Sequence, residues 1–267
     1  MTCSTAYASN VKTAIAANPS FKAICEFNIQ HFPIDGYLKY YRSLSNGIAI
    51  LQTHEQLNAY LACYADMHRH KLNLTFDELF KDTNLLGQSI EVVDWGCGQA
   101  FASCVLIDYI KEHDLNVDLF KFHLIEPSYP ALIRGSEHIE AIYQRTPKPE
   151  TVLLNERADT LSAKHLRTNR NSIKIHLFSN LIDICTLNLQ SVANTIKQSQ
   201  AGTNYFVCIS PQNQGSSRLK TFYEMFPQAN LLSEKSDSIL AQIFRPSAMR
   251  KVNHSVSRVQ FIFKTNL

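Results

Sequence analysis

The order of apolar and polar positions divides the chain near residue 89. Before it, apolar residues recur at helical spacing and few glycines interrupt them. Within Glu55 to His68, the side chains of Leu57, Tyr60, Leu61, Tyr64 and Met67 or His68 fall on one stripe of a helix. Asn18-Pro19-Ser20, Pro33-Ile34-Asp35-Gly36 and Ser45-Asn46-Gly47 read as breaks between helices. No strand pattern occurs in this part. The pattern predicts a helical N-terminal region over residues 1–88.

From residue 89 the period changes. Short apolar runs over 90–94, 119–126, 151–155, 173–178 and 204–210 read as strands. Helical patterns over 99–113, 129–143, 186–198 and 218–226 fall between or after them. Strand and helix in alternation predict a parallel sheet covered on both faces. Two further strands, 239–244 and 255–263, have no long helix between them, so a hairpin closes the chain and one edge strand runs antiparallel. The expectation is a doubly wound α/β domain over 89–267 with a mostly parallel seven-stranded sheet.

Composition narrows the class only a little. The chain has 267 residues, 45% hydrophobic and 18% charged, with a net charge of +3. That is ordinary for a globular protein and neither requires nor excludes a nucleic-acid partner. The seven cysteines form no Cys-x-x-Cys pair and mostly sit in apolar runs. A disulfide framework and a structural zinc site are therefore not expected, nor is any other metal. Residues 1–20 show no signal-peptide pattern, and no apolar run is long enough to cross a membrane. A cytoplasmic location is expected.

The chemistry concentrates where the first strand ends, in Val93-Asp94-Trp95-Gly96-Cys97-Gly98-Gln99-Ala100. A tight strand-to-helix turn needs residues without a Cβ where a ligand presses on the backbone. The free N–H groups of the helix that follows suit an anionic or dipolar ligand. A dinucleotide fingerprint would need a small residue at Phe101, which argues against a nicotinamide-dependent oxidoreductase. Asp94, Gly96, Gly98 and Ala100 fit another spacing, acid-x-Gly-x-Gly-x-small. It resembles the first motif of class I S-adenosylmethionine-dependent methyltransferases, with Ala100 where glycine often stands. Glu126 closes the second strand as Leu124-Ile125-Glu126-Pro127, placed to accept hydrogen bonds from two ribose hydroxyls.

The resemblance covers about residues 89–267. It implies a Rossmann-like fold, S-adenosylmethionine as cofactor, and methyl transfer as the reaction. It puts the cofactor against Asp94, Gly96, Cys97, Gly98, Glu126, Pro127, Asp159 and Asn180. Asp159 or Asn155 would meet the adenine, although Asp159 could equally cap a helix over 160–166. Asn180 caps the next helix or touches the methionine part. Asp183 and His176, at the fourth strand, are candidate bases; Asp183 could also be a substrate ligand or a first-turn acid favoured by the helix dipole. The helix carrying Tyr60, Tyr64 and His68 either covers the pocket as a lid or packs as core.

No substrate-specific motif fixes the acceptor. The chain lacks the Asn/Asp-Pro-Pro-Tyr/Phe of amino-directed nucleic-acid enzymes and the Pro-Cys of cytosine C5 enzymes. A small molecule, an RNA and a protein all stay open as acceptor. The alternative function is a catalytically silent binding or partner subunit on the same fold.

Overall fold

The structure, a computed structural model, describes residues 2–31 and 37–267. The break expected at Pro33-Ile34-Asp35-Gly36 lies outside these. Helices α1 (Thr2–Ile15), α2 (Phe21–His31), α3 (Tyr37–Ser43) and α4 (His54–Leu79) precede the sheet. Strand β1 (Ser89–Trp95) leads to α5 (Phe101–Glu112), β2 (Asp118–Ile125) to α6 (Tyr129–Ile142), and β3 (Glu150–Leu154) by irregular chain to β4 (Ile173–Ser179). Helix α7 (Leu189–Ser199), strand β5 (Thr203–Ser210) and helix α8 (Arg218–Glu224) follow. The chain ends in β6 (Asn230–Arg245) and β7 (Arg250–Asn266).

The seven strands lie in the order β3-β2-β1-β4-β5-β7-β6. Strands β1 to β5 pair in parallel; β7 is antiparallel to both β5 and β6. The order reverses between β1 and β4, which opens a crevice beyond their carboxyl ends, where such sheets bind ligands. Alternate side chains separate the two faces. Val92, Phe122, Leu124, Ile175, Leu177 and Val207 pack with α5, α6 and the N-terminal helices. Val93, Trp95, Ile125, Phe178, Phe206 and Phe263 pack with α7 and α8.

The N-terminal helices share that first core: Val11, Phe21, Ile24, Leu61, Leu72 and Phe76 belong to the same cluster as Val92 and Leu106. Helix α4 runs to Leu79, eleven residues beyond the stripe expected from the sequence. A capping box starts it: Gln56 N–H donates to Thr53 Oγ1 and Thr53 N–H to Gln56 Oε1, both at 3.3 Å.

The closing hairpin is much longer than expected, 16 and 17 residues against six and nine. Its outer half passes the end of β5, and the hairpin packs on α4 along both its outer and its β5-paired parts. Phe244 N–H donates to Asp66 Oδ2 at 2.9 Å, and Thr75 Oγ1 donates to Gln260 Oε1 at 2.9 Å. Ile243 and Val256 are buried there, with Met67 against them.

The glycine turn is locked from behind. Ala100 has φ 58° and ψ 37°, the left-handed region. Gly135 of α6 packs directly on it: a Cβ at Gly135 would lie 3.0 Å from Ala100 Cβ, Ala100 N and Gln99 C. Gly135→Ala therefore meets backbone that cannot step aside. The overpacking is expected to outweigh alanine's better helix propensity, costing about 1–2 kcal/mol in denaturant unfolding. An unchanged or higher midpoint would refute this account of the turn.

Candidate active site

Gly96 (φ 61°) and Gly98 (φ 53°) hold left-handed conformations at the end of β1. A Cβ on Gly96 would meet Leu181 Cδ1 at 2.8 Å, whereas a Cβ on Gly98 would meet nothing within 4 Å. Gly98 thus presents bare backbone to the crevice, as a ligand lying on the turn requires.

Glu126 is buried beside it. Its Oε2 accepts from Gly98 N–H at 3.0 Å and its Oε1 from Ser128 N–H at 2.8 Å. Each oxygen keeps a lone pair, so the carboxylate can still take two hydroxyl donors. Burial raises its pKa, and the two backbone donors oppose that. Asn155 fixes this strand end: its Nδ2 donates to the Glu126 and Pro127 carbonyls at 2.9 and 3.0 Å. The Asn155 amide nitrogen is thereby occupied as a brace, while its Oδ1, the atom an adenine amino group would need, takes no part in these bonds.

Gly96, Gly98, Glu126, Pro127, Asp159 and Asn180 line one narrow cavity of about 130 Å³. The segment 47–51 and Tyr60, from the N-terminal region, form its other wall. Ser179 Oγ, also in its lining, is buried with no hydrogen-bond partner. Asp159 accepts from Arg157 Nε and from Asn188 N–H, both at 3.1 Å. Residues 160–166 form turns and no helix, so Asp159 caps none.

Three expected site residues lie elsewhere. Asp94 is not in the lining of this cavity: its Oδ2 accepts from Ser103 N–H at 3.2 Å and Ser103 Oγ at 2.7 Å. Strand alternation turns its side chain under the first turn of α5, where Ala100 offers no capping oxygen. Cys97 is buried and its thiol turns to the Gly98 carbonyl, 3.5 Å away, outside the cavity. His176 sits mid-strand on the face of α7 and α8. Trp95 Nε1 donates to its Nδ1 at 3.1 Å, and its Nε2 donates to Asn204 Oδ1 at 2.9 Å. Burial lowers its pKa to about 4, so it is a neutral core residue and no base.

A second cavity of about 790 Å³ adjoins the first; Gly47, Ile48, Tyr60, Asn180, Ile184 and Thr186 border both. Helix α4 walls it with Tyr64, Met67, His68 and Lys71, and β7 with residues 254–257. Asp183 lines it too. Its Oδ2 accepts from Asn213 Nδ2 at 2.7 Å, while its Oδ1 is buried with no hydrogen-bond partner.

Where the cavities meet, Asn180 (φ 56°) joins two side chains of α4. Lys71 Nζ donates to its Oδ1 at 2.9 Å, and its Nδ2 lies 2.7 Å from His68 Nε2. A lysine donor fixes the amide orientation, so Asn180 Nδ2 donates and His68 Nε2 must be an unprotonated acceptor. Burial, and then the Lys71 charge, holds the His68 pKa well below its ordinary value. Burial also lowers the Lys71 pKa to about 8, against an opposing pull from Asp183. Nothing local in the sequence marks Lys71 for this contact, since its partner is 109 residues away.

Among the described residues no cluster of three His, Cys, Asp or Glu could hold a metal ion. Among the described residues, Cys25, Cys63, Cys97, Cys104, Cys185 and Cys208 form no disulfide. No described helix is long and apolar enough to cross a membrane.

No family model matches the chain, and no curated protein matches it in sequence. Solved structures of similar shape include a proposed class I S-adenosylmethionine-dependent methyltransferase of Listeria monocytogenes. It is 9% identical, with 98% of this chain and 86% of that one covered and a TM-score of 0.48. An S-adenosylmethionine-dependent methyltransferase of Clostridium acetobutylicum is 10% identical, with 87% and 100% covered and a TM-score of 0.45. The N-methyltransferase NodS of Bradyrhizobium japonicum is 8% identical, with 75% and 97% covered and a TM-score of 0.46. On its own strand order, with β7 antiparallel between β5 and β6 and the glycine turn closing β1, the chain has the fold of the class I S-adenosylmethionine-dependent methyltransferases.

Proposed function

We propose that the chain transfers a methyl group from S-adenosylmethionine to an acceptor held in the second cavity. The observation that carries this is the meeting of the two cavities at Asn180. The residues present suit the cofactor. Gly98 leaves backbone bare, Glu126 can receive two ribose hydroxyls, and Ser179 Oγ lacks a partner. Pro127, Ala158 and Leu187 offer an apolar slot for a flat base, with Asp159 at its side.

The cofactor would supply a methyl group already activated on a sulfonium, so the protein needs proximity and alignment more than an elaborate catalytic machine. Glu126 and the glycine turn would set the depth of the nucleoside. Tyr60, Ile48 and Ile184 border both cavities and would keep water from their junction. A silent subunit would have little use for a second cavity whose inner end carries a buried Lys71–Asn180–His68 chain, and this favours the enzyme.

Titration calorimetry with S-adenosylmethionine tests the reading. One-to-one binding in the micromolar to submillimolar range is expected, with a rise in melting temperature. No heat and no melting shift at millimolar ligand would overturn it.

A further inference from the structure

Among the described residues, Lys71 is the one amine at the junction of the two cavities. It is 4% exposed, and Asn180 Oδ1, at 2.9 Å, is its one side-chain hydrogen-bond partner among the described residues. Asn180 borders both cavities, so the Lys71 nitrogen stands beside the place where methyl donor and acceptor would meet. Resting on the function proposed above, we infer that Lys71 is the proton acceptor of the transfer, and that the acceptor is a small molecule whose attacking atom is a phenol-like hydroxyl.

The neighbours leave Lys71 this role. His68 Nε2 is already taken by the Asn180 amide. Asp183 faces Lys71 from the connection after β4 and favours its charged form, but burial outweighs it. From β7 the titratable group in the cavity is His254, paired with Arg245 at 2.9 Å. Tyr60 and Tyr64 from α4, and Cys185 from the connection after β4, complete the titratable lining. A sulfonium in the first cavity would add a second cation close by, which favours the neutral amine further. A base is most effective when its pKa lies near the working pH. An amine titrating at about 8 meets that condition, and an ordinary carboxylate does not.

The cavity suits a small aromatic better than a polymer. Its size lies in the range that encloses small molecules. Tyr60, Tyr64, Met67 and Val256 supply apolar wall, and Lys71 shares the lining with a carboxylate, Asp183, whereas nucleic acid calls for a one-sign basic track. Asp183 Oδ1, buried and unpartnered, awaits a donor from the same molecule. In the step, the hydroxyl oxygen forms a bond to the methyl carbon as the carbon–sulfur bond breaks, its electron pair passing to sulfur. The hydroxyl proton moves to the Lys71 lone pair, and the resulting ammonium later releases it to water.

Protein labelled with ¹³C-lysine reports Lys71 through its Cε shift, assigned by the signal missing in Lys71→Met or, should that variant not fold, Lys71→Arg. A titration midpoint near 8 is expected, moved lower by Asp183→Asn. S-adenosylmethionine should lower it further than S-adenosylhomocysteine, which has no charge on sulfur. Phenol added to the S-adenosylhomocysteine complex should perturb the Lys71 signal. An ordinary lysine midpoint, or equal effects of the two nucleosides, would overturn the inference. So would benzoate binding tighter than phenol while raising the midpoint, which marks an ammonium anchor, or no response to phenol. Calorimetry separates the two levels: failure of both nucleosides to bind sinks the underlying function, whereas binding with an ordinary midpoint sinks only this proposal.

Discussion

Replacing Glu126 by alanine is expected to weaken S-adenosylmethionine binding by about 10²–10⁴-fold while the chain still folds. The carboxylate of this cavity-lining residue keeps one lone pair on each oxygen after the Gly98 and Ser128 N–H groups are served. Two charge-assisted hydrogen bonds to ribose hydroxyls contribute about 1.5–3 kcal/mol each, or roughly 3–6 kcal/mol together, which sets that range. Glu126→Gln should lose most of the same affinity. Its amide nitrogen would face either the Gly98 or the Ser128 N–H, donor against donor, and its single oxygen cannot serve both. Burial raises the Glu126 pKa, so affinity should also decline on acidification, at a higher pH than an ordinary carboxylate would dictate. Calorimetry reads the affinity, and a thermal melt shows whether the variant folds. Wild-type affinity in a folded Glu126→Ala protein would remove ribose binding from this residue.

Much of the fold was legible because its signals are local. The apolar runs of β1, β2, β4 and β5 and the glycines at 96 and 98 each express a constraint within a few residues. The crevice followed from them, since an α/β sheet binds ligands where its strand order reverses. Glu126 was legible for the same reason, as an acid ending a strand one helix beyond the turn.

The parts that were not legible depend on distant partners. Lys71 reads in sequence as one cation of a basic helix end; only the packing of α4 against α5, β5, β6 and β7 brings it to Asn180. The stripe on α4 in fact divides: Leu57 and Leu61 are buried in core, while Tyr60, Tyr64 and Met67 face the cavities. Hydrophobicity alone cannot separate a core face from an apolar cavity wall. Thr53 and Gln56 did carry a readable start signal for that helix, the capping box. The full length of the hairpin escaped because the inner part of β6, such as Ser236, Asp237 and Ser238, is too polar to read as a strand, whereas its outer part over 239–244 was legible. His176 and Asp94 were misplaced for a geometrical reason. Strand alternation decides the face a side chain points to, and both point into a helix layer, beside the crevice and not into it.

Asp94 carries the second large expectation, which concerns stability. Burial raises its pKa to about 7, although the two Ser103 hydrogen bonds work in the opposite direction. A group whose folded pKa exceeds its unfolded value of 3.8 binds its proton more readily in the folded state. Its contribution is therefore fully present below about pH 4 and is lost as pH rises to about 7. The loss amounts to about 4 kcal/mol at most, at 1.36 kcal/mol per pH unit. The whole protein will not show this slope cleanly. His138 and His176, lowered by burial to about 3 and about 4, add stability as pH rises toward 6.5 and oppose it. Asp108, raised by burial to about 7, adds to it.

The difference between wild type and Asp94→Asn isolates the one carboxyl, because the other groups are common to both proteins. Asparagine keeps an oxygen for the Ser103 N–H and hydroxyl and cannot ionise. The variant should match wild type near pH 4 and gain on it up to pH 7, then keep a constant advantage, read from urea midpoints across that range. The competing outcome is informative. The carboxylate lies at the start of α5, where the helix dipole favours negative charge. A variant that is less stable than wild type at pH 8 would show that the dipole and Ser103 outweigh burial. Asp94 would then be an ionised cap that holds the glycine turn in place through its charge, and the turn, not the buried acid, would set the pH range in which the site is formed.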